Sequence, residues 1–369
     1  MCNVYTFKNK RYLPPAALDN LIVQNNLYDY TSTLGYSVEN RPILVSSFGS
    51  GKRKVLLWSQ MHGNESTTTR ALIKLFSELT LKKSSLLDNL SIKVIYQLNP
   101  DGSNSYSRLN ANDIDLNRDA IRRSQPESKL LISLFNVFKP HFCINLHDQR
   151  SIYAAGNTNL PALISFLAPS FDKSKSINEV RMNAMAMIGN IYKKIKPEKN
   201  WSIGRYNDDF NINCFGDFFM SQNTPTILIE AGHDPNDFGR NLVVDEIYKS
   251  LLIFFTLFAK GNQTNSNINT YLSIPENHNH LRDIEITKIR CLEGFRNKIF
   301  IQFYEILKGN EIYFFPKIEK KTPKTLYGSR IIDFSKYTNK PIDLNQNNQK
   351  IIEKLKLFLN FELFLRRIS

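Results

Sequence analysis

Cysteine is scarce in this 369-residue chain, and Cys2, Cys143, Cys214 and Cys291 form no CxxC pair. That spacing excludes a thiolate zinc knuckle and offers no disulfide framework, which suits a reducing compartment. Long apolar runs are missing, so no segment reads as a membrane span. The start, Met1-Cys-Asn-Val-Tyr-Thr-Phe-Lys8, has neither the basic residues nor the apolar stretch of a secretion signal. A cytoplasmic protein without a membrane partner is therefore expected. Internal repeats and long low-complexity tracts are also lacking. What remains is ordinary for a globular protein: 42% hydrophobic and 22% charged residues, in a length that suits one large domain and a smaller appendage. The formal net charge is +14. Basic surfaces bind phosphate backbones by releasing counterions, but here Lys and Arg are spread through a chain rich in Asn, Ile, Phe and Tyr, so no nucleic-acid partner is expected.

Along the chain, Pro14-Pro-Ala-Ala-Leu-Asp-Asn-Leu-Ile-Val reads as a helix, with prolines at its start where a missing N–H costs little. Residues 41–48 and 54–59 read as strands joined through Gly49-Ser-Gly51-Lys-Arg, a hairpin with a glycine turn. From Ser66 the apolar spacing is helical, which puts His62 and Glu65 on the loop that opens a helix. Further strands are expected at 92–98, 141–146 and 225–229, with helices between them. Apolar strands alternating with helices indicate a parallel or mixed sheet covered on both faces. Ligands gather beyond the carboxyl ends of such strands, where His62, His147 and Glu230 fall. These features assign residues 1–260 to a catalytic domain. The polar stretch 261–280 is expected to be a linker or surface loop, and 281–369 a small α+β appendage with strands at 283–289, 298–303 and 311–316 and a helix from Gln349.

The chemistry concentrates in a few residues. His62-Gly-Asn-Glu65 and, much later, His147 supply two imidazoles and a carboxylate, and three protein ligands leave a fourth metal position open for water. The glycine between the first two is expected to clear bulk near the metal. HxxE alone is weak, because many helices carry it by chance, and His62 also fits a satisfied polar residue at a strand end. His141, at the beginning of its strand, lies at the wrong edge and reads as structural. His278 and His280 read as solvated loop residues. Glu230 ends the apolar strand Thr226-Ile-Leu-Ile, where an unpartnered carboxylate costs several kcal/mol. It reads as a general base, or as the partner of a neighbouring arginine. Asn99-Pro-Asp-Gly102 is followed by Arg108 and by Asp115-Leu-Asn117-Arg118, a set of multi-donor groups suited to carboxylates and oxyanions, or else an exposed charged loop.

Taken in order, Gly35-Tyr-Ser-Val-Glu-Asn-Arg41-Pro-Ile, His62-Gly-Asn-Glu65, Asn99-Pro-Asp-Gly102, Arg108, Asp115-Leu-Asn117-Arg118, His147 and Glu230 resemble the zinc carboxypeptidase family of carboxypeptidase A type. The resemblance covers about half the chain, from Gly35 to Gly232. It implies a three-layer α/β/α sandwich with a central mixed eight-stranded sheet, and one Zn2+ ion held by His62, Glu65 and His147. It further implies Glu230 as general base, Arg108 as oxyanion stabiliser, and Asn117 and Arg118 as the site for a free C-terminal carboxylate. Tyr206 is the nearest candidate for the family's substrate-capping tyrosine. The segment after His147, Asp148-Gln-Arg150, departs from the digestive enzymes. Arg150 and Arg205 are extra cations that either bind an acidic substrate group or pair with Asp148, Asp208 or Asp209. The expected partner is a peptide, or an N-acyl amino acid if the chain instead resembles the aspartoacylase and succinylglutamate desuccinylase branch. A cell-wall peptide and an inactive binding module are the other readings.

Overall fold

Alternating side chains decide the layers of this protein. In the strand Arg53–Trp58, Val55 and Leu57 enter one hydrophobic core while Leu56 and Trp58 enter another. A strand that is apolar on both sides needs a covered face on each. The computed structural model describes residues 11–195, 197, 200–261, 267–290, 292, 296–319, 326–346, 348–358 and 367–368. Its first nine strands are β1 (Thr31–Tyr36), β2 (Pro42–Phe48), β3 (Arg53–Trp58), β4 (Leu90–Ile95), β5 (Phe142–Asp148), β6 (Tyr153–Ala155), β7 (Ala162–Leu167), β8 (Ser202–Arg205) and β9 (Thr226–Ala231). Eight of them form one mixed sheet in the order β1-β2-β4-β3-β5-β9-β7-β8. Helices Thr67–Leu81, Glu179–Lys194 and Asn241–Lys260 cover one face, and Pro126–Phe138 and Phe215–Ser221 cover the other. This is the three-layer α/β/α sandwich the resemblance implied.

The expected hairpin is corrected. β4 lies between β2 and β3, antiparallel to the first and parallel to the second. Gly49 does adopt a positive φ of 69°, but the turn it starts crosses over a strand instead of joining neighbours.

A second sheet follows, built from β11 (Leu281–Arg290), β12 (Arg296–Lys308), β13 (Glu311–Glu319), β14 (Tyr327–Asp333) and β15 (Arg367–Ile368), in the order β14-β11-β12-β13-β15. Ile351 and Leu355 of the helix Asn348–Phe358 pack on it. β14 was not foreseen. Of the expected linker, residues 262–266 lie outside the described residues, as do Met1 to Lys10, Cys291 and Leu359, where the C-terminal helix was expected to end. Residues 267–280 are not a surface loop. They form the helix Ile268–Leu272, whose Tyr271 is buried in the first core, and β10 (Asn277–Asn279), which pairs with β6. His280 is correspondingly buried, with its Nε2 against the Thr158 carbonyl, while His278 is exposed as expected. No described helix is long and apolar enough to cross a membrane.

Candidate metal centre

Period-two alternation carries the two key side chains to one place. Phe142, Ile144 and Leu146 of β5 point into one core and Cys143 into the other, so His147 follows Cys143 at the strand's carboxyl end. In β9, Ile227, Ile229 and Ala231 enter the first core, which turns Glu230 to the same side as His147. The strands are parallel, and His147 and Glu230 are register partners.

The loop bearing His62 and Glu65 is held by the Asn99-Pro-Asp-Gly turn. Asn99 Nδ2 donates to the Met61 carbonyl at 3.2 Å, its Oδ1 accepts from Gly102 N at 2.8 Å, and Gln60 Nε2 donates to the Gly63 carbonyl at 2.9 Å. The role expected for Gly63 is corrected here. A Cβ on it would meet not a metal but the backbone of Gly102 at 1.9 Å and of Ser103 at 2.1 Å.

His62, Glu65 and His147 are all buried, and their ligand atoms lie within 4.8 Å of one another. Glu65 places one carboxylate oxygen 2.8 Å from His62 Nδ1 and the other 2.9 Å from His147 Nδ1. Asp115 stands 3.0 Å from His62 Nε2. A proton on that nitrogen leaves the Nδ1 lone pair facing a carboxylate oxygen, and only a cation or a further proton between them removes the repulsion. Two imidazoles and a carboxylate oxygen are a donor set suited to zinc. The electrostatics agree with a site built for positive charge. Burial opposes ionisation of Glu65, but the two imidazoles outweigh it and hold its carboxyl well below the usual range. His62 is raised against the cost of its burial by Glu65 and Asp115.

Glu230 behaves in the opposite way. Burial, then the charges of Glu65 and Asp148, push its pKa well above the carboxylate range. The nearby arginines do not pair with it: Arg108 contacts Asp115 at 3.1 Å and Glu65 at 3.4 Å, and Arg240 contacts Asp148 at 3.4 Å. Among the described residues the Glu230 carboxylate forms no ion pair, which removes the arginine-partner reading.

Nine of the residues singled out from the sequence line one cavity of ≈ 650 Å³: His62, Glu65, His147, Glu230, Arg108, Asn117, Arg118, Tyr206 and Arg150. Arg108 and Arg118 are exposed on its wall. Asn117 is buried and accepts from Phe215 N, and Arg118 donates to the Asn117 carbonyl at 2.7 Å. Tyr206 OH meets Tyr153 OH at 3.0 Å. Arg205 is directed elsewhere, to Glu276 at 2.5 Å, while Asp208 and Asp209 are taken by Lys175 and, for Asp208, Arg181. His141 sits at the far edge and accepts from Lys54 N through Nδ1.

Residues 26–143 match the family described as zinc carboxypeptidase. A probable carboxypeptidase 2 of Trichophyton verrucosum (strain HKI 0517) is 29% identical over 158 residues, 41% of this chain and 28% of that protein. The chain is similar to zinc carboxypeptidases over that stretch. It thus spans 28% of the length of that relative. A similar fold is found in a metallo-carboxypeptidase from Burkholderia cenocepacia, with a TM-score of 0.51 at 15% identity over 66% of this chain and 69% of that one. It recurs also in a Pseudomonas aeruginosa metallo-carboxypeptidase in complex with (2-guanidinoethylmercapto)succinic acid, with a TM-score of 0.50 at 14% identity over 66% and 68% of the two chains.

Sequence reasoning did not anticipate Asp115 as the group facing His62, nor Asp148, which is buried and accepts from Thr67 N at 3.1 Å at the start of the helix Thr67–Leu81. The Asp115-Leu-Asn117-Arg118 motif was the available signal for the first. Nothing local marks the second.

Proposed function

We propose that this chain is a zinc-dependent metallocarboxypeptidase that hydrolyses the C-terminal peptide bond of peptides and uses one metal ion. The observation that carries this reading is the placement of an unpaired carboxylate, Glu230, beside the His62–Glu65–His147 cluster in a cavity whose wall bears Arg108 and Arg118. A bound zinc ion would acidify water and polarise the scissile carbonyl. Glu230 takes the proton of the attacking water and returns it to the leaving amine. Arg108 offers its guanidinium donors to the developing oxyanion, a contribution of several kcal/mol in such sites. Asn117 and Arg118 hold the substrate's free carboxylate, for which a planar guanidinium is suited. Tyr206 and Arg150 contact the bound substrate from the rim.

Replacing the base separates chemistry from metal binding. Glu230→Gln should retain zinc by elemental mass spectrometry while kcat falls by about 100- to 10,000-fold. Normal turnover in that variant would contradict the proposed role.

A further inference from the structure

The second sheet is built into the cavity of the metal centre. Gln302, Phe303 and Tyr304 of β12 line that cavity. With Arg150 they also line a groove of ≈ 810 Å³ between β13 and the helix Asn348–Phe358. Shared walls make the two spaces neighbours. The sheet is fixed there by part-buried links: Arg11 to Glu305 at 2.5 Å, Gln302 Nε2 to Ser151 Oγ at 2.9 Å, and Phe303 and Phe314 packed on Phe238.

Direction follows from what flanks the cluster. Asp115, Asn117 and Arg118 belong to one loop, which reaches the cluster from the Nε2 side of His62. From His147 the chain leads away through Asp148 and Arg150 to Ser151 and hence to β12. A peptide with its carboxylate at Arg118 and its scissile bond at the cluster therefore sends its upstream residues toward Arg150 and β12. Tyr304 is 48% exposed at that point and stacks on Phe315, with ring centroids 5.7 Å apart.

We propose that β12 and β13 form the binding wall for the upstream residues of a peptide substrate, with the Tyr304–Phe315 pair as an apolar shelf and Arg150 as a cation that favours an acidic side chain there. This rests on the carboxypeptidase reading above. The test compares kcat/KM of the zinc-loaded full chain for an N-blocked dipeptide and for hexapeptides ending in the same two residues, with Glu or Lys upstream. The wild-type chain should favour the hexapeptides, and Glu over Lys. Tyr304→Ala should lower the hexapeptide-to-dipeptide ratio by about tenfold, Tyr304→Phe should restore it, and Arg150→Ala should erase the Glu preference. Calorimetric affinity of the hexapeptide for the Glu230→Gln protein should fall in parallel when Tyr304→Ala is added. An unchanged ratio in an active Tyr304→Ala chain would overturn the wall while leaving the peptidase reading intact. No release of C-terminal residues by the wild-type chain would overturn the reading beneath it.

Discussion

Gly63 shapes the candidate metal site from outside the His62–Glu65–His147 cluster. Its absent side chain lets the His62–Glu65 loop close against the Gly102–Ser103 backbone, so the two sequence motifs interlock. Gly63→Ala should displace that loop and weaken metal binding by about tenfold or more, read by competition with a chromophoric chelator; an unchanged affinity would contradict the packing argument. Asp115 acts from the other side of His62. Asp115→Asn should lower metal affinity by about 10- to 100-fold in the same assay, and equal affinities would show that the 3.0 Å contact does not orient the ring. At this scale the sequence was most legible where chemistry is intrinsic to the side chain. His62, Glu65, His147 and Glu230 could be singled out by type and by their place beyond the carboxyl ends of strands, and the fold brings all four to one cavity. Asp148 does not, because its partners Thr67 and Arg240 are brought to it only by folding.

Among the elements, β11 and β12 carry a pH-dependent contact. Asp283 accepts from Phe303 N at 2.6 Å and from Gln302 Nε2 at 2.5 Å, and burial pushes its pKa up to about 6 from an ordinary 3.8. The folded chain therefore holds this proton more tightly than the unfolded chain does. The group's contribution to stability is complete below about pH 4 and is lost as pH rises through about 6, a change of about 3 kcal/mol. Urea unfolding at pH 4 and pH 7 should show a decline that is smaller by about that amount in Asp283→Asn; an identical decline would assign the pH dependence to other groups. The misread hairpin also belongs here. β2 and β3 are close in sequence and both rich in β-formers, but whether neighbours in sequence pair or admit a third strand depends on β4, some thirty residues away, and no local pattern encodes that choice. His280 was misplaced for the same reason, since β10 gains its partner β6 from across the chain.

For the whole molecule, runs of apolar residues in β3, β5 and β9 sufficed to foretell a sheet covered on both faces, and β3 and β5 each feed two cores. How the second sheet docks was not readable. It depends on long-range pairs such as Arg11 with Glu305, 294 residues apart in the chain. In the proposed function, His62, Glu65, His147 and Glu230 act on a peptide whose free carboxylate is held at Asn117 and Arg118. Mass spectrometry of products from the zinc-loaded chain, given unblocked peptides, C-terminally amidated controls and N-acyl amino acids, tests it most directly. Loss of single C-terminal residues from the unblocked peptides alone is expected, whereas deacylation of N-acyl amino acids with all peptides intact would contradict that role.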